Sequence, residues 1–550
     1  MKQFLRNNYN RIWYMLCFLA LGIIDQRRGS AIGNIQMAAV NLTGVIVALL
    51  LLPSLRWSAF RREGKLVQNP YFLWTFFAGV SGVLASVWGW DHWEYREQWI
   101  TGVLNVVVWG YLVIYLVREW KQLAGREKLH NPFYWCVFAM FGWMILSIHD
   151  VLLPVWMLVI FGGFYLIGIP RTNREDFFQG LLNGIILWFF LQQIVAFGLR
   201  PYDYVRYRGM YSGETQSGLF YMIVYCAFLC KWVWAKKKGC TRFWVWSWFF
   251  LSAASISFLL LTGGRSSLMG AAVATLLLYT IYDIVWGKSF YRWLGRIALF
   301  GVLVVLTFPV VYGAVRYLPT ILHHPIWFEG EYSEESSVHS YDAWDSDRYI
   351  TFEEAVDSNI GRILSIVGID IKKITGENLS SMLTIHALAA EGDLVEATAE
   401  RTDPGSSPEH EFRLPDSERS DPVSLRKTIY ACYLYHMNWL GHSKEEYGFY
   451  LVDGYFSKHA HNMLIQMGYD YGIPAGILFL GLLLYSLFRF LQSAVRDKDD
   501  QRWICLTFLG AIFFYGMTEM AVIYGMITWI LIYLLLYFAS EPVQKSGTIQ

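Results

Sequence analysis

The chain has 550 residues, 55% of them apolar and 16% charged, with 45 Lys and Arg set against 44 Asp and Glu. That apolar excess, with a mean hydropathy of +0.33, does not suit a globular protein of ordinary surface polarity and predicts a polytopic helical membrane protein. A net charge of +1 leaves no face or tail to gather phosphates over a distance, so nucleic acid is not an expected partner.

Apolar runs long enough for a helical crossing, which takes roughly 20 residues, fall at 9–24, 31–53, 70–88, 99–117, 132–149, 151–169, 178–199, 215–235, 243–262, 266–286, 294–314, 461–491, 503–519 and 521–540. They predict an all-α fold of about 12–14 transmembrane helices with one large, partly helical loop. The first run has Lys2, Arg6 and Arg11 at or before its start and no small-residue cleavage site behind it, so it reads as a retained span.

Lysine and arginine collect in every second loop: Arg56 to Lys65, Arg118 to Lys128, Arg171 and Arg174, Lys236 to Arg242, Lys288 to Arg296, and Arg496 to Arg502. The positive-inside bias puts those loops and both termini in the cytoplasm. The region around Arg206 and Arg208, the turn carrying Arg265, and the stretch from about 315 to 460 then face outward. The expected organisation is an N-terminal membrane domain at 1–314, an extracytoplasmic loop or lid at 315–460, C-terminal spans at 461–540 and a cytoplasmic tail at 541–550.

The long loop changes character along its length. Residues 317–347 are aromatic and acidic, and 348–374 show apolar positions spaced three or four apart, from Ile350 and Phe352 to Leu364 and Val367, which predicts a helix. Residues 391–422 are rich in Glu, Asp, Ser, Pro and Thr and are predicted to form a flexible acidic insertion. Order resumes where Asp421 and Pro422 open a helix striped by Ile429, Tyr433, Leu434, Met437 and Leu440.

Neither a disulfide framework nor a metal is expected: the seven cysteines are scattered, and no CxxC pair or His/Cys cluster has zinc-like spacing. No Walker-type phosphate loop occurs either, and no cofactor is called for. The chemistry is expected at the ends of apolar runs, where a charge is costly unless solvated, paired or used.

Arg265 stands in the turn Leu261-Thr262-Gly263-Gly264-Arg265-Ser266-Ser267, where glycine permits close backbone approach. With Arg206, Arg208 and Arg426 it is a candidate for holding a diphosphate, because a guanidinium grips phosphate oxygens with two prongs. The alternative for each arginine is snorkelling to lipid phosphates or pairing with a nearby carboxylate such as Asp203 or Glu214. His461 opens the run 461–491, and its imidazole suits general-base work near neutrality; Asn462 follows as a hydrogen-bonding support. The competing role is an interfacial ring solvated by headgroups. His459, His323, His324, His386, His436 and His442 are weaker candidates, expected to be solvated or packed.

Arg206-Tyr207-Arg208-Gly209-Met210-Tyr211-Ser212 before one run, Leu261-Thr262-Gly263-Gly264-Arg265-Ser266 between two others, and His459-Ala460-His461-Asn462-Met463-Leu464 ahead of Tyr471-Gly472-Ile473-Pro474-Ala475-Gly476, with a long loop between, carry a resemblance. In this order they resemble the O-antigen ligase and O-antigen polymerase superfamily of bacterial envelope enzymes, over roughly residues 200–490.

The resemblance implies metal-independent, inverting glycosyl transfer outside the bacterial cytoplasmic membrane. The donor would be a glycan on polyprenyl diphosphate and the acceptor a hydroxyl of a glycan or glycolipid, with membrane lipid around both. It implies His461 as the catalytic residue, Arg265, Arg206, Arg208 and Arg426 as diphosphate ligands, and Asn462, Gly264 and Ser266 in support. A polymerase would use the same donor. A lipid-linked oligosaccharide flippase or other transporter would keep its polar residues nearer the bilayer midplane and commonly shows repeat symmetry.

Overall fold

The computed structural model describes residues 8–28, 36–61, 69–91, 96–123, 129–199, 206–211, 213–322, 351–356, 422–444, 446, 448–450, 456–457, 459–498, 500–521 and 527–541. In chain order the helices are α1 (Tyr9–Arg28), α2 (Gln36–Leu51), α3 (Pro70–Asp91), α4 (Arg96–Glu119), α5 (Pro132–Leu146), α6 (Leu152–Ile167), α7 (Arg174–Leu199), α8 (Glu214–Lys237), α9 (Arg242–Leu261) and α10 (Arg265–Tyr279). A π-helical turn over Thr280–Trp286 extends α10. There follow α11 (Phe290–Ile321), the short α12 (Phe352–Val356), α13 (Pro422–Tyr435), α14 (Met463–Tyr471), α15 (Ile473–Arg496), α16 (Arg502–Gly516) and α17 (Ile527–Ala539). An antiparallel pairing of β1 (Phe449–Tyr450) with β2 (Phe456–Ser457) interrupts this all-helical pattern among the described residues.

Each predicted apolar run is helical over most of its described residues. By length and composition, seven helices among the described residues can cross a membrane, and six further apolar helices are shorter. The apolar surface agrees with a membrane setting. On α15, Phe479, Leu482, Leu483 and Phe490 are buried while Ile477, Leu484, Phe488 and Val495 are exposed, so both faces are apolar and only one finds protein partners.

One predicted span differs from the sequence expectation. The run 461–491 breaks at Gly472, whose φ of +91° ends α14 and starts α15. A Cβ at that position would lie 2.0 Å from the Trp439 carbonyl oxygen, which leaves glycine as the residue that fits. Pro474 then sits in the first turn of α15, where its missing N–H costs nothing. Of the helix predicted over 348–374, the described part is α12; the acidic insertion lies outside the described residues, apart from Pro422 at the start of α13.

The chain divides into two compact units. The first comprises Met1–Arg28, Asn34–Ile185 and His410–Gln550; the second comprises Gly29–Gly33 and Ile186–Glu409. In the first, α5 and α6 pack with α15 and α17 around a ring cluster in which Phe161 lies 4.7 Å from Tyr533 and edge-on to Trp529. The Tyr165 hydroxyl donates to the Tyr533 carbonyl at 2.7 Å, satisfying a polar group that has no water to turn to. Gly180 and Gly184 let the start of α7 approach the α1 backbone, since a Cβ on Gly184 would sit 2.7 Å from the Met15 carbonyl.

In the second unit, α8 is almost wholly buried and packs against α9 and α10. Tyr221 stacks on Phe258 at 5.1 Å, and Ser257 and Thr307 share a 2.8 Å hydrogen bond between α9 and α11.

Candidate functional site

The first unit builds its polar centre where α13, α14 and the end of α16 meet. Asn462 caps α14: its side-chain oxygen accepts from the Leu464 and Ile465 amides, and its Nδ2 donates to the Met517 carbonyl at 2.9 Å. One side chain therefore fixes the start of the helix and ties it to the turn that follows α16. The Tyr430 hydroxyl on α13 bridges the same two segments, 3.2 Å from the His461 carbonyl and 3.3 Å from that of Met517.

Held between these ties, His461 takes a φ of +47°, a left-handed conformation that non-glycine residues seldom adopt and that surrounding structure must enforce. Its Nδ1 meets Glu519 Oε2 at 3.1 Å, and the other carboxylate oxygen, Oε1, accepts from Arg426 at 2.6 Å. The Glu519 side chain is 12% exposed, against 23% for His461 and 37% for Arg426. The carboxylate is thus the shielded member, paired with the Arg426 guanidinium on one oxygen and hydrogen-bonded to the imidazole on the other, as a poorly solvated charge requires. A carboxylate accepting at Nδ1 fixes the proton there and leaves Nε2 as the basic ring nitrogen.

His459 lies against His461, with ring centroids 4.1 Å apart and edge to face. Burial, and then the neighbouring imidazole, push His459 down to about 4, with Glu519 acting in the opposite sense. It therefore stays neutral at physiological pH. Behind this segment the Ala460 amide donates to Gln466 Oε1, and Gln466 Nε2 donates to Asp470, whose carboxyl burial pushes up to about 7.

The second unit holds the arginine turn. After α9, Gly263 adopts a φ of +60° and its amide returns to the Leu260 carbonyl, the left-handed cap that ends many helices. Thr262 Oγ1 accepts from the Gly264 amide at 3.2 Å, and Arg265 becomes the first residue of α10, exposed to solvent. Gly218 on α8 allows this close approach: a Cβ there would lie 2.8 Å from Ser267 Oγ and 3.2 Å from Thr262 Oγ1.

Arg206 joins the same turn, its Nε donating to the Thr262 carbonyl at 2.9 Å while the Tyr207 amide donates to Leu261 O at 2.7 Å. Two of the predicted arginines are thereby brought to one turn. A cation at the positive end of a helix dipole adds to a field that favours an anion.

Arg208 pairs with Glu214 at 3.2 Å, the local-carboxylate alternative raised for it by the sequence. Arg426 is likewise engaged, with Glu519. Ser266 is buried at the start of α10 and Gly264 precedes it as the cap. His436 stacks on Phe449 and His442 lies flat on Tyr469 at 3.9 Å, so both serve packing; His323, His324 and His386 lie outside the described residues.

Glu519 and Tyr430 escaped the sequence reading. Glu519 carried the same signal as His461, a titratable group at the end of an apolar run. Tyr430 carried none. No protein-family profile, curated protein or solved structure matches this chain.

Proposed function

We propose that this chain is a membrane glycosyltransferase of the O-antigen ligase type. It would move a glycan from polyprenyl diphosphate to an acceptor sugar hydroxyl at the outer face of the bacterial cytoplasmic membrane. The supporting observation is the Glu519–His461 pair, a carboxylate-oriented imidazole at a strained backbone position beside long apolar helices.

In that reaction the acceptor oxygen bonds to the anomeric carbon as the bond from that carbon to the diphosphate oxygen breaks. The hydroxyl proton passes to His461 Nε2, and the electron pair of the broken bond leaves with the lipid diphosphate. A single displacement of this kind inverts the anomeric centre. Glu519 stabilises the imidazolium that forms, much as a buried carboxylate does in hydrolase triads.

The resemblance assigns the growing negative charge of the leaving group to Arg206 and Arg265. They act more strongly on the transition state than on the bound donor, because that charge develops only as the bond breaks. Arg426 and Arg208, each already held by a carboxylate, shape the two clusters.

The test is transfer by the purified full-length protein in bilayers holding a polyprenyl-diphosphate-linked glycan. His461→Ala is expected to lower turnover by roughly 10²–10⁴, the usual worth of a general base. Glu519→Gln should lower kcat while the donor KM stays near its original value, and Arg265→Ala should slow release of the lipid diphosphate. Full product from both His461→Ala and Arg265→Ala would defeat the transferase assignment and favour transport. Chain growth from the donor alone identifies a polymerase; product that waits for an added acceptor identifies a ligase.

A further inference from the structure

Away from the arginine turn, the second unit has an open cavity of about 600 Å³ where the end of α8 meets the starts of α9 and α11. Lys236, Arg242, Arg292 and Arg296 line it, and no carboxylate is among the lining residues. Its remaining wall is apolar and aromatic, with Trp232, Trp246, Phe249 and Leu299. A pocket with several cations at one end and apolar side chains at the other is complementary to an amphipathic anion.

Arg296 is built into position. Asp283, on the π-helical turn, accepts a hydrogen bond from Arg296 Nη2 at 2.8 Å and ion-pairs with its Nε at 2.7 Å, and the Arg296 guanidinium carbon lies 4.5 Å from the Trp232 ring centre and 4.9 Å from that of Tyr282. The wide π turn carries Asp283 to a buried position behind the cavity, and such turns recur at functional sites. Asp283 offsets one cation, and Lys236, Arg242 and Arg292 are exposed beside it. Phe243, Trp244, Phe290 and Tyr291 are exposed on the helix starts that frame the cavity, the residue types that gather at the headgroup level of a bilayer.

We propose that this cavity binds the phosphate-bearing headgroup of an anionic phospholipid, with the cations on the phosphate and the lipid's apolar part along Phe249 and Leu299. Basic pockets between membrane helices recognise such headgroups through this combination of charge and adjoining apolar surface. A soluble phosphate would satisfy the cations and leave the apolar wall without a partner. The site is separate from the proposed glycosyl transfer and does not depend on it.

The experiment is native mass spectrometry of the detergent-solubilised full-length protein, titrated with phosphatidylglycerol, with phosphatidylcholine and with inorganic phosphate. Phosphatidylglycerol should be retained roughly tenfold more tightly than phosphatidylcholine, because its headgroup keeps a net negative charge for the cations to hold. The double substitution Arg242→Glu with Arg292→Glu should abolish that preference. Arg242→Gln with Arg292→Gln, which keeps the side chains polar without reversing charge, should reduce it at an unchanged melting temperature. Equal retention of the two lipids, a preference that survives both double variants, or displacement of phosphatidylglycerol by equimolar inorganic phosphate would each overturn the proposal.

Discussion

His461 and Glu519 show how far a single position can be read before its neighbours are known. A titratable side chain at the end of an apolar run marks both, yet only the folded chain brings them to 3.1 Å from 58 positions apart in the sequence and adds Arg426 on the far side of the carboxylate. His459 illustrates the reverse, a prominent residue whose burial removes it as a base at neutral pH. Its depression to about 4, from about 6.5 for a free imidazole, means that the unfolded chain binds more protons between those values. Its contribution to stability is therefore complete above about 6.5 and is lost as the pH falls toward 4. Asp470 acts in the opposite sense, since a carboxyl raised to about 7 favours the folded state at low pH and loses that contribution as the pH climbs through 7. Because the two partly cancel, the comparison to make is between the parent and His459→Asn. The melting temperature of the parent should fall more steeply from pH 6.5 to 4, and parallel curves would show that His459 contributes nothing to the acid response.

Among the elements, the junction of α14 and α15 has the largest local consequence. A continuous apolar run from 461 to 491 reads as one span, and hydropathy has no means of marking a break within it. Gly472 makes the break, with a φ of +91° and the Trp439 carbonyl packed where a side chain would go; the Ile473 amide donates to Asn438 O at 2.9 Å just beyond. Gly472→Ala is expected to destabilise the first unit by more than about 1 kcal/mol, since strained backbone of this kind costs on the order of 1–3 kcal/mol before any clash is counted. A lowered melting temperature checks this, and an unchanged one would mean that the junction adapts. The cap at Asn462 was foreseen as a hydrogen-bonding support beside His461, while its second bond, to Met517 O, joins a segment 55 residues further along and was beyond sequence reasoning.

Taken whole, the molecule is a set of apolar helices whose ends carry its charges, and several of those charges are paired deep within the first unit. Arg502 is 1% exposed, accepted by Asp500 and by the Glu541 carbonyl, and Arg174 pairs with the Glu541 side chain. These contacts bind the starts of α7 and α16 to Glu541, the second residue after α17. Surrounding hydrogen bonds and the Arg502 charge hold the Asp500 carboxyl below its ordinary range, against the opposing effect of burial. Removing that charge in Asp500→Asn leaves a buried guanidinium without its counter-ion, a change expected to cost about 3–5 kcal/mol. Thermal unfolding at pH 7 reads the loss; a variant as stable as the parent would show that other partners already suffice.

Hydropathy alone fixed the helical class and the position of nearly every apolar helix, because burying an apolar run and satisfying its backbone internally both depend on local composition. The arginine turn was legible for a similar reason, as the glycines that shape it adjoin Arg265 in the chain. Long-range pairing was not legible. Which carboxylate orients His461 and which arginine joins the Thr262 carbonyl both depend on distances between segments remote in sequence, whereas the Arg208–Glu214 pair, six residues apart, was among the alternatives the sequence offered. A charge in a poorly solvated setting takes whichever partner packing brings within reach, and that choice belongs to the folded chain.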